Sequence, residues 1–235
     1  MNLGKGLMRL DKLLSQATVF TRSQAKIHIK KGKVKVDGDV VKNPAQHISD
    51  NANVEYMGVS ISKPKLRYIM LNKPAGVVCA NKDKDHPTVF DSLFVPNVES
   101  LHVAGRLDID TTGLVLLTDD GQWLHQITSP KHNHRKVYQV DLDTDITEKQ
   151  IRILSEGVQL KAEKERSKPA QIEVINKTKI RIAISEGKYH QVKRMMAAVG
   201  NHVIKLHREK VANIMLDDTL AEGQWRDLDA LEIKL

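Results

Sequence analysis

The sequence contains a single cysteine, Cys79, which excludes an internal disulfide and makes a reducing cytoplasm the simplest setting. Aromatic residues are scarce, at 4% of 235 residues. No apolar run approaches membrane-spanning length, and MNLGKGLMRLDKLL has no apolar core of the kind a signal peptide needs, so no membrane association is expected. No C-x-x-C pair or H-E-x-x-H accompanies the ten histidines; His132 and His134 sit in the polar run PKHNHRK, where a solvated loop accounts for them, and no metal is expected. There is also no internal repeat and no low-complexity tract.

What is present is positive charge at one end. The formal net charge is +8, and residues 1–67 hold 13 Lys+Arg against 5 Asp+Glu, leaving 24 of each for the remainder. All the excess cation is therefore in the front quarter. A segregated basic block attracts a phosphate backbone through counterion release, which marks the front as a nucleic-acid anchor in preference to a merely solubilising face.

The front quarter also has a legible order. Leu10, Leu13, Leu14 and Ala17 follow the i, i+3, i+4, i+7 stripe of an amphipathic helix. A second helix opens near Thr21 or Ser23, both good N-caps, and ends at Gly32. It exposes Arg22, Lys26, Lys30 and Lys31, with Lys26 and Lys30 one turn apart. KVKVDGDVV then alternates around Asp37-Gly38, a hairpin signal. The unit is expected to end near Ile61, with SKPKL (62–66) as a linker. Its segments RLDKLL (9–14) and TRSQAKIHIKKGKVKVDG (21–38) resemble the S4 RNA-binding domain, and the resemblance implies RNA binding by Arg22, Lys26 and Lys30 but no chemistry.

The rest, 67–235, reads as α+β, a mixed sheet with few helices. YIMLNKPAGVVCA predicts a strand, a turn at Pro74–Gly76 and a second strand, followed by the polar stretch NKDKDHPT. Leu114–Leu117 is a buried strand, an Asp-Asp-Gly turn leads to a short helix, and VYQVDLDT and KIRIAIS alternate as strands. Val192, Met195, Met196 and Val199 repeat at helical spacing before Gly200.

Asp108, in AGRLDIDTTG, sits in a polar loop that leads straight into the buried strand, so a rigid element holds a carboxylate at a surface. The plain structural reading is a turn in which Asp108 or Asp110 bonds the backbone of Thr111 or Thr112. DIDTT also matches the D-x-D-x-T pattern of phosphotransferases of the haloacid-dehalogenase type, but there the strand precedes the motif and here it follows.

Four blocks in order, YIMLNKPAGV (68–77), GRLDIDTTGLVLLTDDGQW (105–123), KVYQV (136–140) and EGKYHQVKRMMAAVGNHVIKLHR (186–208), resemble the S4-domain-containing bacterial family of ribosomal RNA pseudouridine synthases. DTTGLVLLTDDGQW is more similar to members acting on small-subunit (16S) RNA than to those acting on the large subunit. The resemblance implies that Asp108 is catalytic and that no cofactor is used. Turning uridine into pseudouridine breaks a glycosidic bond, rotates the uracil and joins C5 to the same carbon, with no redox change or group donor. A carboxylate serves by attack at C1′ or at C6, or through a glycal-like species.

His190, Lys193 and Arg194 fall at i, i+3, i+4 on one side of the last helix. The family's His-Gln-x-basic pattern favours Lys193 as the cation beside Asp108, with Arg194 the alternative and phosphate contact open to both. By the same resemblance Tyr138 stacks on the target uracil, a strand tyrosine in the core being the alternative. Arg106 would reach the flipped nucleotide or fill its vacancy, an ion pair being the alternative, and Lys73 and Lys136 contact RNA or support the site. The expected partner is small-subunit ribosomal RNA or its assembly particle, met by a monomer. A rival, an RNA-binding ribosome-assembly factor without chemistry, makes Asp108 dispensable.

Overall fold

The computed structural model describes residues 8–49, 51–62, 65–95 and 97–234, and the chain divides into two compact units, 1–65 and 66–235. Within 62–66, residues 63 and 64 lie outside the described residues, as do residues 1–7 of the opening segment.

In the first unit β1 (Met8–Arg9) leads into α1 (Leu10–Ala17), which buries Leu10, Leu13 and Leu14 on the expected stripe. Helix α2 (Arg22–Lys30) starts from a capping box, Thr21 accepting from the Gln24 amide while the Gln24 side chain accepts from the Thr21 amide. β2 (Val34–Val36) and β3 (Asp39–Val41) form the hairpin, and Asp37 and Gly38 both take positive φ, 52° and 93°, the geometry that matches strand twist in a two-residue turn. The hairpin is half of a larger sheet. After β4 (His47–Ile48), which pairs with β1, β5 (Val54–Tyr56) and β6 (Val59–Ile61) complete the order β3-β2-β5-β6. Arg22, Lys26 and Lys30 are exposed, and Arg22 also holds the buried Asp11 carboxylate at 3.2 Å, opposite Arg9 at 2.8 Å.

The second unit is built on one mixed sheet. Its strands are β7 (Tyr68–Lys73), β8 (His102–Val103), β9 (Thr112–Thr118), β10 (Lys136–Leu142), β11 (Gln171–Asn176), β12 (Lys179–Ile184), β13 (Val203–Val211), β14 (Ile214–Met215) and β15 (Trp225–Asp227). The order is β11-β12-β10-β13-β9-β7-β15, with β8 on β9 and β14 on β13; among the described residues only the strands β13 and β9 pair in parallel. Three helices complete it, α3 (Gly121–Thr128), α4 (Glu148–Glu156) and α5 (Gln191–Ala198). The α+β expectation holds.

Strand β9 explains its own unbroken apolar run. Val115 and Leu117 join a core with Ile182, Met195 and Met196, while Leu114 and Leu116 join another with Trp123 and Ile214, so both faces are buried. Two readings need correction. The expected strand after the Pro-Gly turn is absent, leaving only a bridge between Val78 and Thr88, because that segment spends its backbone groups on the loop Pro87–Val89. The last helix starts at Gln191, with His190 in the left-handed conformation (φ 45°) as its N-cap.

Candidate active site

Asp108 lies in the loop between β8 and β9, and the backbone of that loop is fastened from below by two buried cations. Lys73, with no exposed surface, donates to the carbonyls of Pro74 (2.9 Å), Ile109 (3.2 Å) and Thr111 (2.8 Å). Arg208, 1% exposed, donates to the carbonyls of Gly105 (2.7 Å) and Leu114 (2.8 Å) and approaches that of Arg106 at 3.5 Å. The Gly76 amide adds a bond to the Ile109 carbonyl, and the Leu107 amide one to Cys79 Sγ. A buried charge is tolerated only when its donors are satisfied; here carbonyls do this, and the loop becomes rigid in return. Burial also lowers the Lys73 ammonium from its ordinary value.

These contacts bear on the two alternatives for Lys73. Of the two, the geometry is that of support: Lys73 has no exposed surface and donates to three carbonyls of the turn and loop.

Gly113, one residue into β9, is where β13 comes closest. Its φ is +101°, and a Cβ there would overlap the Arg208 backbone. The parallel register His207↔Thr112 and Arg208↔Gly113 therefore needs glycine, and the same register brings the Arg208 side chain under the loop.

With the loop fixed, the Asp108 carboxylate faces α5. His190 Nε2 is 3.4 Å from Oδ1 and Lys193 Nζ is 3.3 Å from Oδ2. Lys193 also bonds Asp110 Oδ1 at 2.5 Å. Burial alone would lower the Lys193 ammonium, but the bond to Asp110 and the charge of Asp108 outweigh it and raise it. The same bond holds Asp110 below the usual carboxylate range. Arg194 faces elsewhere, to Glu163 Oε1 and the Tyr189 carbonyl, both at 3.0 Å, and to the Lys161 carbonyl. Between the two basic residues of HQVKR, the cation beside Asp108 is Lys193. The Asp108 and Asp110 side chains also do not cap Thr111 or Thr112; the turn is closed by the Asp108 carbonyl accepting from the Thr111 amide at 3.1 Å.

A cleft of about 1240 Å³ opens over this carboxylate, lined by Arg106, Asp108, Lys136, Tyr138, Tyr189 and Lys193 among others. That exceeds the roughly 300–1,000 Å³ of a small-molecule pocket and leaves room for more than one nucleotide. Tyr138, on β10, is 8% exposed: it packs in the core with Val140 and Ile182 yet also reaches the cleft, so the two readings of it are not exclusive. Arg106 is exposed, and its side chain has no ion pair or hydrogen bond among the described residues. Lys136 is half-buried, and burial lowers its ammonium, with the nearby Arg208 charge acting in the same direction. His132 and His134 stack at 5.6 Å, and no group of three or more metal-ligating residues occurs among the described residues.

Sequence reasoning did not single out Arg208, Glu163 or the Tyr189–His190 stack. Arg208 sits in an alternating strand where charge reads as solvent-facing, and only its pairing with β9 buries it.

Comparison with known proteins agrees with both units. The S4 domain family matches residues 8–54, and the RNA pseudouridylate synthase family matches residues 67–198. Ribosomal small subunit pseudouridine synthase A of Escherichia coli (strain K12) is 50% identical over 227 residues, covering 96% of this chain and 98% of its own. The protein of the same name from Haemophilus influenzae is 46% identical over 97% of this chain and 98% of its own. A crystal structure of a pseudouridylate synthase superposes with a TM-score of 0.71 at 45% identity, covering 97% of this chain and 98% of that one.

Proposed function

The chain belongs to the RNA pseudouridylate synthase family, and from that premise we infer that it converts one uridine of small-subunit ribosomal RNA to pseudouridine. It is an isomerase: the N1–C1′ bond breaks, the uracil turns in place, C5 bonds to C1′, C5 loses its proton and N1 gains one. The observation that carries the residue assignment is the Asp108 carboxylate, held at the floor of the cleft by a loop anchored on Lys73 and Arg208 and faced by Lys193.

In this reading Asp108 is the nucleophile or proton-transfer group of all three routes. Lys193 is the cation beside it, 3.3 Å from Oδ2. Tyr138 stacks on the uracil and retains it while it turns, and Arg106 takes up the space a flipped nucleotide leaves. Lys136 lies at the cleft for substrate phosphate or sugar. Arg194 binds RNA only indirectly, through the loop it holds. Residues 1–61 form the RNA anchor, 62–66 join it to the catalytic domain 67–235, and Arg22, Lys26 and Lys30 meet the phosphate backbone. The protein acts as a monomer on ribosomal RNA or its assembly particle, in the cytoplasm. Among the described residues no helix is long and apolar enough to cross a membrane.

The small-subunit choice is supported by relatives of that name at 46–50% identity. Incubation with uridine-labelled ribosomal RNA in EDTA, digestion and nucleoside analysis tests the activity; pseudouridine mapping of both ribosomal RNAs in cells with and without the protein tests the target. Loss of one small-subunit site is expected. Loss confined to the large subunit overturns the choice of subunit, and no loss favours the assembly-factor reading.

A further inference from the structure

Two tyrosines border the cleft, and they differ sharply. Tyr138 is 8% exposed and belongs to the core, whereas Tyr189 is 76% exposed at the rim. An aromatic ring left that open contributes little to folding by burial. Yet Tyr189 is not loose. One face lies flat on the His190 ring, with centroids 3.8 Å apart and planes 19° from parallel. Its carbonyl accepts from Arg194, which is itself tied to Glu163 and to the Lys161 carbonyl. Lys188, on the other side of Tyr189, also reaches Glu163, at 3.4 Å. The segment 188–190 is thereby held from both sides, and the ring presents one fixed face inward and one open face outward.

The order of groups from the reacting carboxylate is Asp108, then His190 at 3.4 Å, then Tyr189 stacked on His190. The open face of Tyr189 therefore lies two side-chain contacts from the reacting carboxylate, on the rim of the same cleft, where a nucleotide flanking the target would pass. Unpaired bases splayed from RNA are held by stacking on aromatic side chains, and a ring that is already fixed loses little entropy on accepting one.

We propose that Tyr189 is a stacking platform for an unpaired nucleotide adjacent to the target uridine, a subsite distinct from the one that holds the uracil. This rests on the pseudouridine synthase reading of the same cleft. The platform selects targets in single-stranded context, since a flanking base that remains paired cannot reach the ring.

A mutant cycle between protein and RNA tests it. The substrates are a small-subunit ribosomal RNA fragment spanning the mapped site and two versions with an abasic ribose on the 5′ or 3′ side of the target. Wild type is compared with Tyr189→Ala and Tyr189→Phe. Tyr189→Ala should lower kcat/KM roughly 5- to 150-fold, carried mainly by KM, the range of one base–aromatic stack, and Tyr189→Phe should stay near wild type. One of the two abasic RNAs should lose a similar factor with wild type and nothing further with Tyr189→Ala, because the same contact cannot be removed twice. Fully additive losses for both abasic RNAs, or a loss confined to kcat, would overturn the platform and leave Tyr189 as a support for His190. Absence of pseudouridine with wild type and the intact fragment would instead overturn the underlying reading, and the platform with it.

Discussion

Lys193 holds Asp110 more closely than it holds Asp108: its ammonium nitrogen is 2.5 Å from the first carboxylate and 3.3 Å from the second. The neighbour two residues on, exposed at the loop surface, takes the shorter bond, and the carboxylate over the cleft floor receives the longer one. One cation is thus shared between two carboxylates, and the other oxygen of Asp108 faces His190 at 3.4 Å.

Asp108→Asn should abolish pseudouridine formation while RNA affinity stays within a few-fold, because the substitution removes the ionised oxygen and preserves the shape. Nucleoside analysis and filter binding on the same RNA check it. Rapid turnover by the purified variant would sink the assignment.

Replacing Lys193 with Met removes the cation shared by Asp108 and Asp110 and leaves His190 beside Asp108. The Lys193 bond is the chief cause of the lowered Asp110 carboxylate, so without it Asp110 should take up a proton at higher pH and the acid side of the kcat/KM profile should move in that direction. Lys193→Arg should restore most of the wild-type profile. The stability effect has a defined sign. The Asp110 carboxylate is held below its ordinary value chiefly by the Lys193 bond, so the pair stabilises the fold above the usual carboxylate range and that contribution fades as pH falls through the lowered value. With Asp110 two-thirds exposed the contribution is small, about 0–1 kcal/mol. A pH profile unchanged by Lys193→Met would remove Lys193 from its role.

Gly113→Ala places a methyl into the Arg208 backbone at φ +101° and should destabilise the protein by more than about 1–3 kcal/mol. Activity should fall with it, since the register that positions Arg208 beneath the Asp108 loop is lost. Gly121→Ala, on the exposed first turn of α3 with no atom near the new methyl, should be neutral or stabilising by about 0.4–1 kcal/mol. Denaturant titration of the pair separates the backbone clash from a general effect of adding a methyl group.

Lys26→Ala and Lys30→Ala should weaken RNA binding and reduce the slope of log K against log salt by roughly 0.7–0.9 each, with product formation at saturating RNA retained. Both side chains are exposed on α2. Unchanged slopes in salt titrations would move the anchor elsewhere.

Local pattern was sufficient for much of this protein. The stripe Leu10, Leu13, Leu14, the Thr21 cap and the Asp37-Gly38 turn are each decided within a few residues, and all three form as read. The run Leu114–Leu117 announced a strand, and GRLD placed a carboxylate immediately before it. Resemblance over four ordered blocks supplied the chemistry, which no local rule contains.

What the pattern left open was which cation meets which anion. Lys193 and Arg194 are adjacent on α5 and chemically similar; Glu163, thirty residues earlier in the chain, draws Arg194 away and leaves Lys193 to Asp108. Arg208 looks like a solvent-facing charge in an alternating strand and Lys73 like the polar end of an apolar one, but β9 pairs with β7 on one side and β13 on the other. That pairing buries both charges beneath a loop whose carbonyls point inward. Hydrophobic periodicity records which face of an element is covered by its own repeat. The partner that covers it is chosen by strand order and register between segments forty (Lys73 to Gly113) and ninety-five (Gly113 to Arg208) residues apart, and only the tertiary structure decides that.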